Sequence, residues 1–158
     1  MLVYALLQAH PEAIPVNPIA RWTWVFPVVE TFHVLGFTLL VGMVVILDLR
    51  LLGWCLRKQS ISRVARDLSP WIWTGIIVQL VTGPYLFSGD PSEYVQVTAF
   101  RAKMALLLAA LIFHFTAIRA ATAPARDSAP LGWRRLAAVV SVALWFSVLL
   151  GGMWIGNL

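Results

Sequence analysis

The chain has 158 residues, 60% of them hydrophobic and only 12% charged, against roughly 25% charged in soluble domains. That excludes a domain with a large water-facing surface and predicts an all-α integral membrane protein. The net charge of +5 falls in short loops between apolar runs, which is a topology signal and not the footprint of a nucleic-acid binder.

Residues 1–24 read as a periplasmic or interfacial segment. The opening MLVYALLQAH is apolar but lacks the basic start of a cleaved signal peptide. Pro11, Pro15 and Pro18 mark a loop, and Trp22 and Trp24 are interfacial anchors. A four-span transmembrane bundle is expected over 25–158. Its first span, about 25–52, exceeds the ~20 residues a crossing needs, yet it carries Glu30, His33, Asp48 and Arg50. Ionisable groups inside a bilayer are costly and point to function. Cys55 is the only cysteine, so there is no internal disulfide and no CxxC or CxxCH motif. A basic loop follows, with Arg57, Lys58, Arg63 and Arg66.

The second span is expected over 70–87, opened by Ser69-Pro70 and bent or ended by Gly83-Pro84. Gln79 within it suits an interhelical hydrogen bond. In the loop SGDPSEY, Asp90 is a good N-cap and Pro91 a good first helical residue. The third span covers about 97–120, a second basic stretch follows, and the fourth span covers about 136–156. Nine basic residues, from Arg50 to Arg135, fall on one side of this topology; only Arg21, Arg101 and Lys103 fall on or near the other. The positive-inside rule then puts both basic loops in the cytoplasm and both termini in the periplasm of a bacterial inner membrane.

Depth along parallel helices decides which side chains can meet. His33 lies seventeen residues before Arg50, and Lys103 lies sixteen before Arg119. Both are therefore ~25 Å from the inner boundary at 1.5 Å per residue. Met153, eighteen residues after Arg135 on an antiparallel helix, reaches a similar level. Glu30 precedes His33 by three residues, on the same face. His114 lies only five residues before Arg119, ~8 Å from the inner edge, so it cannot share an iron with His33.

These residues suggest a haem-b site near the outer leaflet. His33 is a candidate axial ligand. Gly36 sits one turn along and would allow close approach of a macrocycle. Met153 and Lys103 compete as second ligand. Arg101 and Lys103 could also hold propionates, a quinone head group or lipid phosphates. The plain structural alternatives are a His33 hydrogen-bonded to Glu30 or to a backbone carbonyl, a Lys103 that snorkels to the surface and a Met153 that simply packs. No nucleophile–base arrangement, carboxylate pair or phosphate loop is visible, which argues against a hydrolase.

Two stretches carry a family resemblance: HVLGFTLLVGMVVILDLRLLG, from His33 to Gly53, and FRAKMALLLAALIFHF, from Phe100 to Phe115. They resemble the small four-helix membrane proteins of the CopD copper-resistance type and, more distantly, the HemJ-type protoporphyrinogen oxidases. The HemJ resemblance implies haem b held by a His and a Lys, which by position are His33 and Lys103. The further His that follows the arginine-leucine pair in HemJ-type proteins is replaced here by Leu52-Gly53-Trp54. A copper role would draw on His10 and Met153, a small set of ligands. The leading expectation is a haem-b membrane protein that transfers electrons with a periplasmic cytochrome or a quinone. The alternatives are a cofactor-free subunit of a larger membrane complex and a HemJ-like or copper-handling protein.

Overall fold

The computed structural model describes residues 24–89, 91–123 and 130–155, with side chains at 92, 93 and 153–155 left aside. The described residues form helices α1 (Val25–Leu52), α2 (Ile61–Phe87), α3 (Pro91–Gln96), α4 (Thr98–Phe113), a π-helical turn (His114–Ile118), α5 (Arg119–Thr122) and α6 (Leu131–Ile155). No strand occurs among them. The segment before residue 24 and the Asp90 cap lie outside the described residues.

Three helical runs are long and apolar enough to cross a membrane: Val25–Leu52, Thr98–Thr122 and Leu131–Gly152. The chain is thus a multi-pass membrane protein, with apolar helix faces that suit lipid. Large side chains such as Phe32, Leu35, Leu80, Leu108 and Leu150 are exposed on the outside of the bundle. In lipid that pattern is favourable, because burial and exposure no longer follow the water rule.

Helix α2 is as long as the spans but differs from the sequence reading. It starts at Ile61, nine residues before the expected opening at Pro70, and it runs through both Pro70 and Pro84. Of the expected basic loop, Arg57 and Lys58 precede the helix, while Arg63 and Arg66 lie in its first two turns. Ile61 and Val64 are buried while Arg63 and Asp67 face out, 3.9 Å apart. Ser60 caps the start by accepting from the Arg63 N–H, satisfying one of the free donors of a helix N-terminus. Helix α6 likewise begins five residues earlier than expected, at Leu131. Helix α1 keeps its expected bounds. It ends at Gly53, whose φ of 81° is left-handed. The Gly53 N–H donates to the Arg50 carbonyl and the Trp54 N–H to the Leu49 carbonyl, a Schellman closure. Gly53→Ala should therefore cost about 1–2 kcal/mol, read as a lower unfolding temperature in detergent.

Helix α1 packs along α2 and α6, and α4 packs along α6. Two apolar clusters fill the interior. The outer one joins Leu40 and Val44 of α1, Ile72 and Ile76 of α2, Ala110 of α4, and Trp145 and Val148 of α6. The inner one joins Leu47 and Leu51, Ile61 and Val64, Ile118 and Ala121, and Ala137 and Ala138. The α1–α2 pair is drawn close by glycines. A Cβ on Gly75 would stand 2.7 Å from Leu40 Cβ and 3.1 Å from the Gly36 carbonyl; one on Gly36 would stand 2.4 Å from Val78 Cγ1.

At the outer end α4 keeps to α6 and scarcely touches α1 or α2. Its rim is tied to α2 by aromatic rings, with Phe87 stacked on Phe100 at 5.6 Å and Tyr94 against both. Deeper, Trp73 meets Phe115 at 5.3 Å.

Candidate functional site at the outer end of the bundle

His33 lies in the outer half of α1, and α2 grips it twice. Gln79 Nε2 donates to the His33 backbone carbonyl at 2.6 Å, the interhelical bond expected of that glutamine. His33 Nδ1 lies 2.7 Å from Thr82 Oγ1. The Thr82 hydroxyl has one hydrogen, and it is directed to the Val78 carbonyl at 2.6 Å. Thr82 Oγ1 must then accept from the imidazole, so His33 carries its proton on Nδ1. That leaves the Nε2 lone pair unprotonated, and it has no hydrogen-bond partner among the described residues. A neutral imidazole with Nδ1–H fixed by a hydrogen bond is the form that ligates a metal through Nε2.

The hydrogen-bond partner of the ring is thus Thr82, in place of the Glu30 or backbone carbonyl of the plain structural alternative. Glu30 is exposed, in a shallow recess with Thr31, Val34 and Leu35. Gly36 serves helix packing: the space beside it is taken by Val78 and Gln79, so the close approach it permits is that of α2 and not of a macrocycle. Arg101 is exposed at the rim, where its guanidinium donates to Thr98 Oγ1 at 3.3 Å.

Lys103 faces the same region from α4. It is half-buried and close enough to His33 to act on it electrostatically. Glycines make room for both. Lys103 Cβ lies 3.4 Å from where a Gly151 Cβ would stand, and Lys103 Nζ lies 3.3 Å from the corresponding position at Gly152. A Cβ on Gly83 would sit 3.6 Å from His33 Cε1. The backbone of Met153 follows on α6, and its side chain lies outside the described residues. Tyr85, one turn beyond Thr82 on α2, holds its hydroxyl buried and without a partner among the described residues.

The outer end therefore collects a lone-pair nitrogen, a primary amine, an unpartnered phenol and a floor of glycines, within walls of α1, α2, α4 and α6. A group that accepts nitrogen ligands would fit this donor set. No cluster of three or more His, Cys, Asp or Glu able to hold a metal ion occurs among the described residues, so a metal cage built from protein ligands alone has no counterpart there. Thr82 and Gly83 were not singled out as site residues from the sequence, although Gln79, Thr82 and Gly83 form the one polar and small face at spacing i, i+3 and i+4 in an otherwise apolar stretch.

No curated protein and no solved structure matches the chain. Residues 24–158, which take in all the described helices, do match one family along their length. The chain belongs to DUF6644, a family of unknown function.

Proposed function

We propose that this chain is a bacterial inner-membrane protein with four spans and both termini in the periplasm, that it binds haem b in the outer leaflet, and that it transfers electrons. His33 Nε2 and Lys103 Nζ would hold the haem iron, Lys103 through its neutral amine. The observation that carries this reading is the hydrogen-bond chain from His33 Nδ1 to Thr82 to the Val78 carbonyl. It fixes the imidazole N–H toward Thr82 and leaves the Nε2 lone pair free to bind. The resemblance to HemJ-type proteins implies the same pair of ligands.

Haem b supplies one-electron exchange when bound. The protein's part is to orient the ligands, exclude water and set the potential through them. The glycines at 83, 151 and 152 keep the backbone beside both donors free of side chains. A redox partner on the periplasmic side, a cytochrome or a quinone, suits a site at this depth.

The test is an absorption spectrum of detergent-purified protein from haem-replete cells, oxidised and then dithionite-reduced, with a pyridine haemochrome assay. One haem b per chain with a sharp reduced α-band is the expected result. Folded protein without a Soret band would overturn the haem reading and leave a cofactor-free subunit of a membrane complex in its place.

A further inference from the structure

A second polar site lies deeper in the bundle, and it does not depend on the haem reading. Between the two apolar clusters runs a layer that three helices fill with polar side chains. On α1, Asp48 lies one turn from Val44 and one from Leu51. On the third long helix, His114 lies four residues from both Ala110 and Ile118. On α6, Ser141 lies between Ala138 and Trp145. Helix α2 contributes only Leu68, which packs against both clusters.

All three polar residues are shielded: Asp48 is 0% exposed, Ser141 1% and His114 9%. Both carboxyl oxygens of Asp48, the Ser141 hydroxyl and His114 Nδ1 have no hydrogen-bond partner among the described residues. The Trp145 indole N–H, one turn outward from Ser141, is in the same state. Ser141 stands beside the Asp48 carboxyl, close enough to bear on it but outside hydrogen-bonding geometry. The π-helical turn begins at His114, with the Arg119 N–H reaching back to the His114 carbonyl. Such turns are rare and concentrate at functional positions.

An isolated carboxylate in so dry a place is far more costly than a neutral acid. No cation among the described residues is turned to it. On its own helix, Arg50 is turned to the Gln59 carbonyl at 2.6 Å. From α2, Arg63, Arg66 and Asp67 face out. From α6, Arg134 lies two turns nearer the inner end and has contacts of its own. From the third long helix the layer receives His114, while Arg119 is exposed. A bound hard cation would want roughly six oxygens, and the layer's described side chains bring only the Asp48 carboxyl and the Ser141 hydroxyl. A proton is the ligand that this donor set suits.

We propose that Asp48 is a proton-binding site in the cytoplasmic half of the membrane, set in a polar layer with Ser141 and His114, and that it exchanges its proton with cytoplasmic water past His114. The step is a carboxylate taking one proton from water and returning it; nothing else is consumed. His114 is the least shielded of the three.

Infrared spectroscopy of the whole protein in lipid nanodiscs tests this. Wild type should show the carbonyl stretch of a protonated carboxylic acid at neutral pH, shifting in D2O. The isosteric Asp48→Asn should lose that band with helix content unchanged, and His114→Leu should keep it but slow its deuterium exchange severalfold. Folded wild type with no such band at neutral pH overturns the proton site, and exchange unchanged in His114→Leu overturns the path. If Asp48→Asn does not fold, Ser141→Ala takes its place: it should shift the band without removing it, and an unmoved band assigns the acid elsewhere and ends the proposal.

Discussion

Replacing His33 with alanine is expected to abolish haem b binding while leaving the helices intact. The ring makes one hydrogen bond among the described residues, to Thr82, and the α1–α2 contact is held elsewhere by Gly36, Gly75 and the Gln79 bond to a backbone carbonyl that alanine retains. Loss of the reduced α-band with unchanged circular dichroism is the readout. Thr82→Val should keep the ligand but free its ring, and losing the hydrogen bond that orients a ligating histidine weakens binding about 10–100-fold. Thr82→Ser, which restores the hydroxyl, should recover most of it. Lys103→Ala should leave His33 as the one protein donor to the haem, seen as a shift to a high-spin spectrum. A His33→Ala protein that keeps its full haem content removes His33 from the site.

The second large effect is expected at Gly75. A Cβ there would meet Leu40 Cα at 3.0 Å and the Gly36 carbonyl at 3.1 Å. These are backbone atoms, which no rotamer change can move, so α1 and α2 must part. Overpacking costs about 1–3 kcal/mol where side chains can adjust, and more where they cannot. Gly75→Val should therefore sharply reduce folded yield in detergent, and Gly75→Ala should lower thermal stability by a few kcal/mol on the same principle. Haem binding should fall with it, because Gln79 and Thr82 reach His33 only while α2 lies tight on α1. Gly42 is the control: nothing stands within 4 Å of its missing Cβ. There, alanine should be neutral or gain up to ~1 kcal/mol from helix propensity. Equal stability of Gly75→Ala and Gly42→Ala would contradict the close α1–α2 packing.

The apolar runs and the ionisable residues inside them were legible in the amino-acid sequence. Hydropathy alone identifies α1 over 25–52 and the third and fourth long helices, since a membrane requires long uninterrupted helices whatever their neighbours. Depth counting also brought His33 and Lys103 to one level, because rise per residue is constant along a helix. The boundaries were less legible where a helix leaves the apolar layer. Residues 61–69 are charged on one side and apolar on the other, so hydropathy averages them to a loop although their spacing is helical. Azimuth decided the rest. Which helix Gly36 faces, that Thr82 and not Glu30 holds the His33 ring, and that Asp48, His114 and Ser141 all turn inward depend on how α1, α2, the π-turn and α6 are rotated against one another. That rotation is set by close packing at glycines and by side-chain fit between helices, which are contacts between residues dozens of positions apart and leave no local mark in the chain.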